Sequence, residues 1–257
     1  MMLGTVSKAG KVLGLFTSGL PEWGVSEVAS ELHIPKSSAH ALLSTLNQIG
    51  LVRRIPDGRY RLGWRILELN RTLLESTDFL GAARSRTQQI ADQLNATIHI
   101  AALREHNVIY LDKVTGCRRP EFTASAVGLA APAHCTALGK VLLANLDEGQ
   151  ADALVERHGL TRCTSRTITS QPQLRAELGA VRLRGCSYDL EESASKICCV
   201  AAPIRDTQGV VQAAISISAP ASQFRQHPVV LRRSVQRAAM GISRSLFTSE
   251  HAVAGAV

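Results

Sequence analysis

The chain of 257 residues has no apolar run approaching the roughly 20 residues that a membrane-spanning helix needs. Its opening, MMLGTVSKAGK, lacks the long apolar core of a secretory signal. A cytosolic protein without a membrane partner is expected. No C-x-x-C pair occurs either: Cys117, Cys135, Cys163, Cys186, Cys198 and Cys199 are scattered through a chain long enough to fold without crosslinks. Reduced and mostly buried thiols follow. A zinc site assembled from Cys163, Cys186, Cys198 and His134 is the alternative, weakened because neighbours such as Cys198 and Cys199 in a strand point to opposite faces. Nucleophile elbows of the G-x-S-x-G type, phosphate loops, zinc motifs, internal repeats and low-complexity tracts are also missing. No catalysis, metal or cofactor is therefore expected. The rival reading is a thiol enzyme resting on His134-Cys135 or on Asp189 with Cys199, although adjacent residues rarely supply nucleophile-base geometry.

What the chain does carry is positive charge, +8 from 29 Lys and Arg against 21 Asp and Glu. Such a balance favours a polyanionic partner. The stretch Gly24 to Gly63 identifies which one. From Ser37 to Ile49 the apolar residues Ala39, Leu42, Leu43, Leu46 and Ile49 recur at helical spacing, which turns Ser37, Ala41, Ser44 and Gln48 away from the core. Ser38, His40 and Thr45 flank that outward face, and Lys36 stands at its start. These small or hydrogen-bonding side chains suit close approach to base edges in a major groove. Upstream, Ser26 is positioned to cap a short helix with Val28, Ala29 and Leu32 inward, and His33-Ile34-Pro35 breaks it, making a helix-turn-helix. Downstream, Leu51 to Ile55 and Arg59 to Leu62 read as strands around the turn Pro56-Asp57-Gly58, a wing. Arg53, Arg54, Arg59, Arg61 and Arg65 stand there against the single acid Asp57, an arrangement for phosphate contacts, with Arg53, Arg54 and Arg59 the main candidates. The partner expected is double-stranded DNA.

A first helix, Ser7 to Ser18, turns Val12, Leu13 and Phe16 inward and holds Lys8 and Lys11 within reach of phosphate. After the wing, Trp64 to Glu75 reads as a helix with more apolar surface (Ile66, Leu67, Leu69, Leu73, Leu74) than a solvated linker needs, which predicts packing against a second subunit. A break at Ser76-Thr77-Asp78 opens a second domain with a helix bearing Leu80, Ala83, Ile90 and Leu94. Thr97 to Leu103 and Val108 to Val114 form a hairpin, and Glu121 to Ser125 is a candidate strand. A helix runs to about Leu146, and others span Asp147 to His158 and Gln173 to Arg184. Cys186 to Leu190, Ile197 to Arg205 and Val210 to Ser218 read as strands, and Leu231 to Phe247 as a closing helix through Leu246. The fold class is α+β: a two-domain chain whose larger domain is a sheet flanked by helices.

The head GVSEVASELHIPKSSAHALLSTLNQIGLV, the wing RYRLGWRILEL, the phrase PAHCTALGKVLLA, and YDLEE followed by ICCVAAPIRD and AAISISAP resemble the IclR (isocitrate lyase regulator) family of bacterial transcription regulators, over about Ser7 to Phe247. The resemblance implies a winged helix-turn-helix over residues 1–63, a linker helix over 64–78, a GAF-like effector-binding domain over 79–249 and a loose tail from 250 to 257. It implies a repressor-type regulator of an operon for catabolism of an organic or aromatic acid, acting as a homodimer or dimer of dimers. It also places the effector pocket on Asp189, Cys199, Ser216 and Ser218, on Gly128, Leu129 and Ala130, and on the helix from Ala137. Strand geometry agrees in part: with the hairpin centred on Thr207-Gln208, Cys199 faces Ser216, and Gln212, Ser216 and Ser218 share a face, unless a bulge at Gly209 shifts the register. One departure is Lys196, where the family often has glycine, read here as a solvated side chain or a cation near the ligand. A sensor that mainly binds another protein remains the alternative function, but it gives the wing arginines no role.

Overall fold

The computed structural model describes the backbone of residues 3–117 and 125–254, without the side chains of residues 78, 79, 82, 85, 148 and 246–254. Two compact units meet at the expected break, residues 1–77 and 78–257.

In the first unit, α1 (Gly4–Leu15), α2 (Val25–Glu31) and α3 (Lys36–Gln48) enclose Val12, Phe16, Val28, Ala29, Ala39, Leu43 and Leu46. The first helix begins and ends earlier than its apolar pattern predicts, because Phe16 is already extended while its side chain still packs inward. Ser26 is not the cap of α2. Gly24 holds that place, its N–H donating to Glu27 Oε2 at 2.8 Å, so the acid reaches back from the first turn and Ser26 is exposed. His33, at φ 51, then turns the chain into α3. The wing consists of β1 (Val52–Arg54) and β2 (Tyr60–Leu62), paired Val52 to Leu62 and Arg54 to Tyr60, and Trp23 adds a further antiparallel bridge to Tyr60. Helix α4 (Arg65–Glu75) buries none of its residues: Leu67, Leu69 and Leu73 are each more than half exposed.

The second unit contains α5 (Asp78–Leu94), β3 (Thr97–Arg104), β4 (Asn107–Thr115), β5 (Ala130–Pro132), a 3-10 turn at Ala133–Cys135, α6 (Ala137–Ala144), α7 (Glu148–His158) and α8 (Gln171–Arg184). It continues through β6 (Ser187–Leu190), β7 (Ile197–Arg205), β8 (Val211–Pro220), α9 (Ala221–Gln226) and α10 (Pro228–Ala254). The six strands form one antiparallel sheet in the order β5-β4-β3-β8-β7-β6. Strand alternation sends Ile98, Ile100, Val200, Ile215 and Ile217 to the face covered by α5, α9 and α10. The other face carries Ala101, Ala201 and Ala214 beneath α6 and α8.

Two expectations need correction. The β7–β8 hairpin is centred later than Thr207-Gln208: Asp206 N–H bonds Val210 O, Gly209 takes φ +81, and the register slips between Ile204 and Arg205, so Cys199 faces Ser218 and Ala201 faces Ser216. The closing helix continues to Ala254, so the expected loose tail does not begin at residue 250; residues 255–257 and the side chain of Leu246 lie outside the described ones. Residues 121–124 of the candidate strand lie outside the described residues, and Ser125 is not in a strand.

Candidate functional sites

On α3, Ser37, His40, Ala41, Thr45 and Gln48 are exposed and Ser44 is half-buried. None of the side chains of Ser37, His40, Ser44, Thr45 and Gln48 makes a hydrogen bond among the described residues, so the face is free to meet a partner. Ala39, Leu43 and Leu46 form the buried stripe, and a turn of 100° per residue puts Ser37, Ala41, Ser44 and Gln48 opposite it. Ser38, Ala41 and Thr45 border an apolar groove against α1, formed with Val6, Leu13, Leu42 and Ile49, while His40 lies on the opposite flank. Lys36 is exposed at the first turn.

The wing arginines divide into two groups. Arg59 donates from both terminal nitrogens to Glu27, at 2.9 and 2.8 Å, and to Glu22 O at 2.9 Å. Arg61 pairs with Glu22. The guanidinium pulls the Glu27 carboxyl below its ordinary range, after the larger effect of the Gly24 N–H. Arg65 Nη1 reaches Ile49 O at 3.1 Å, closing the end of α3, and Arg53 stacks over the Trp64 ring at 5.2 Å. Arg54 alone of the five has a guanidinium without a partner among the described residues. Asp57 is the single acid between Arg53 and Arg65, but Glu22 and Glu27, which precede the wing in sequence, also meet its arginines, from the segment that the Trp23–Tyr60 bridge joins to β2.

In the second unit a cavity of about 250 Å³ opens between the sheet and the N-terminus of α6. Its lining includes the expected Leu129, Ala130, Ala137, Asp189, Cys199, Ser216 and Ser218. Gly128 is not among them: at φ +84 it makes a turn, donating its N–H to Tyr110 O at 2.8 Å. Leu138, on the expected helix, lines the cavity as well, and sequence reasoning missed His99, Tyr110, Ser125, Thr136 and Ser193. His99 carried one available signal, a polar residue at an inward position of an apolar strand.

Pairing explains how these residues meet. Asp189 faces Cys199, Cys199 faces Ser218 and His99 faces Ser216, so four strands bring their polar positions to one patch. Cys199 Sγ donates to Ser218 Oγ at 3.1 Å, and burial together with Asp189 pushes the thiol up. His99 Nε2 is 2.7 Å from Ser125 Oγ, and burial, reinforced by Lys113, lowers the imidazole to about 3. The ring is neutral. Asp189 accepts from the Glu192 and Ser193 amides and the Ser193 hydroxyl, yet burial still raises it to about 6. Ser216 is buried without a hydrogen bond among the described residues, leaving its hydroxyl available to a ligand. Thr136 caps α6 by accepting from Gly139 N at 3.1 Å, which leaves the Ala137 and Leu138 amides as donors at the cavity wall. Residue 139 must be glycine for this approach: a Cβ there would lie 2.2 Å from Ala133 O. Behind this wall Lys140 is fully buried, 2.6 Å from Glu192 and 3.5 Å from Glu177. Lys196 stands outside the lining, exposed and at φ 67, the left-handed conformation that glycine adopts freely.

The expected zinc set and the His134–Cys135 pair do not assemble among the described residues. Cys198 packs on the sheet face opposite the Ala133–Cys135 turn, so the zinc set of Cys163, Cys186, Cys198 and His134 does not assemble. Among the described residues Glu105, His106 and His158 approach one another, with one possible ligand atom from each within 4.8 Å of the others and the two imidazoles stacked at 3.8 Å and 15°, a cluster separate from the expected zinc set. His134 bonds Thr161 O rather than Cys135, and the buried Cys199 thiol is held protonated. Among the described residues no helix is long and apolar enough to cross a membrane.

A winged helix-turn-helix joined to a helix-flanked sheet with a polar cavity defines a ligand-responsive, DNA-binding transcriptional regulator. Residues 71–244 match the bacterial transcriptional regulator IclR C-terminal family, and residues 5–56 match the IclR helix-turn-helix domain. The chain belongs to the IclR family. It is 30% identical to the HTH-type transcriptional regulator XynR of Escherichia coli over 94% of this chain and 96% of the relative. It is 32% identical to the transcriptional repressor IclR of the same organism over 78% and 74% of the two chains. An IclR homologue from Microbacterium hydrocarbonoxydans, solved in complex with 4-hydroxybenzoate, shares the fold with a TM-score of 0.79 at 23% identity, covering 95% of this chain and 100% of that one.

Proposed function

We propose that this chain is a dimeric cytoplasmic repressor released or tightened by a small organic or aromatic carboxylic acid held in the second unit. The observation that carries the reading is the cavity: buried hydroxyls and a helix N-terminus converge on a space smaller than the ~300 Å³ lower end of drug-sized sites. Among the described residues no Lys or Arg lines it, so a carboxylate is met by the Ala137 and Leu138 amides at the positive end of α6. Ser216, Ser218, Cys199 and His99 fix the other end of the ligand, with Leu129 and Ala130 closing over it. In the head, Ser37, Ala41, Ser44 and Gln48 read bases, flanked by Lys36, Ser38, His40 and Thr45. Arg53 and Arg54 hold phosphate, whereas Arg59 shapes the wing. The apolar face of α4 supplies the dimer contact.

The test replaces Ser216 and Ser218 with alanine and follows binding by calorimetry, with 4-hydroxybenzoate and short-chain carboxylates as probes. Loss of two ligand hydrogen bonds weakens the acid that binds by about tenfold or more, while affinity for DNA is retained. An unchanged constant places the ligand elsewhere. Because effector and DNA affinities are thermodynamically coupled, the same variant also loses the acid's effect on DNA binding.

A further inference from the structure

We propose that Cys135 and Cys163 are an oxidisable pair, a modification site for hydroperoxides whose disulfide ties together the two walls of the effector cavity. Their sulfurs are 3.7 Å apart, in contact but unbonded. Closing to the ~2 Å bond length requires the sulfurs to approach by about 1.7 Å. The partners differ in access: Cys163 is exposed and Cys135 is buried. No other cysteines are in sulfur contact among the described residues. Cys117 is exposed and remote in sequence from the rest, while Cys198 and Cys199 alternate across the sheet. In a reducing cytosol such a pair stays as thiols, and its bond forms only when an oxidant arrives.

The chemistry balances in two steps. Cys163, as thiolate, attacks one oxygen of the hydroperoxide; the O–O bond breaks, the sulfur becomes a sulfenic acid and the other oxygen leaves as water or an alcohol. The Cys135 sulfur then attacks the sulfenic sulfur, forming the S–S bond and releasing water with the thiol proton. Cys135 acts second because its buried thiol is held protonated.

Each sulfur is wired to a different wall. Cys135 immediately precedes Thr136, the cap of α6, whose first turn lines the cavity. Cys163 leads into Thr164 and Thr167, whose hydroxyls donate to Glu191 O and Glu192 O, each at 2.7 Å. Those carbonyls belong to the turn whose Glu192 and Ser193 amides bind Asp189 on the opposite wall. A bond between the sulfurs therefore strains the ligand-binding geometry on both sides. This coupling rests on the effector assignment above, whereas the disulfide itself does not.

The full-length reduced protein is treated with hydrogen peroxide or with diamide, alkylated and digested with trypsin. The expected product links Cys163–Arg166 to the peptide ending at Lys140, lighter by two hydrogens and separated by dithiothreitol. It is absent in Cys163→Ser. If both thiols remain alkylatable after either oxidant, or if Cys163 instead links two chains to each other, the pair is overturned. Calorimetry with 4-hydroxybenzoate then compares the two redox forms, with about tenfold weaker binding expected after oxidation. Equal affinities refute the coupling. If the reduced protein binds no acid, the effector reading fails while the linked peptide still decides the site.

Discussion

The two units treat charge in opposite ways. In the head, ionic groups lie at the surface: Arg59 and Arg61 pair with Glu27 and Glu22, and the outward face of α3 carries hydroxyls, an amide and a histidine without intramolecular partners. In the second unit Lys140, Asp189, His99, Ser216 and Ser218 are taken out of water and organised behind and around one cavity. The difference teaches where each function draws its energy. A surface that must leave and rejoin DNA keeps its polar groups hydrated and weakly held, whereas a small ligand is recognised only if the groups that bind it are already desolvated and fixed.

The sharpest way to break this contrast is to remove a buried charge. Lys140→Ala leaves Glu192, already buried with one oxygen lacking a partner, without its closest cation. Losing one member of a buried pair costs about 3–5 kcal/mol, so urea unfolding of the second unit should shift by that amount. Arg61→Ala in the head, whose pair with Glu22 is half exposed, should cost at most about 1 kcal/mol. Similar losses for the two would show that burial does not separate the units energetically.

Acid titration gives a somewhat smaller effect. His99 is lowered from 6.5 to about 3 in the folded chain, so its contribution is complete above 6.5 and is lost progressively as pH falls towards 3. Asp189 is raised from 3.8 to about 6, so the folded state takes up its proton first; the cost of its charge is absent below 3.8 and complete above about 6. Between pH 4 and 6 the two oppose each other. Removing His99 as His99→Gln should therefore reveal a unit whose stability rises on acidification across that window, by up to about 3 kcal/mol relative to wild type. Asp189→Asn should show the reverse slope in urea titrations at stepped pH. Variants with the same pH profile as wild type would mean that neither group is desolvated as the cavity requires.

The contrast also explains what could be read from residues alone. The helix-turn-helix was legible because a surface function leaves its signature within one amphipathic period: Ala39, Leu43 and Leu46 inward fix Ser37, Ser44 and Gln48 outward. The cavity was legible only in part, since it depends on register between distant strands. A bulge at Ile204/Arg205 moved Cys199 from Ser216 to Ser218, and no local pattern announced that β3 would bring His99 opposite Ser216. Glu22 and Glu27 escaped notice for the same reason: the Trp23–Tyr60 bridge joins their segment to a wing about 35 residues further along the chain. Long-range pairing is what a single sequence encodes least directly.

The smallest expected effect tests the division inside the wing. Among the described residues Arg54 has a guanidinium without a partner, whereas Arg59 makes two hydrogen bonds to Glu27 and one to Glu22 O. With a short duplex of scrambled sequence, Arg54→Ala should reduce the slope of log affinity against log salt by about one, the loss of one phosphate contact. Arg59→Ala should leave that slope unchanged, because the charge it removes was already committed to an acid and displaced no counterion from DNA. Fluorescence anisotropy over a salt series distinguishes the two. Equal slope changes would mean that Arg59 abandons Glu27 when DNA arrives, and the head would then trade intramolecular pairs for phosphates instead of presenting a preset set of free cations.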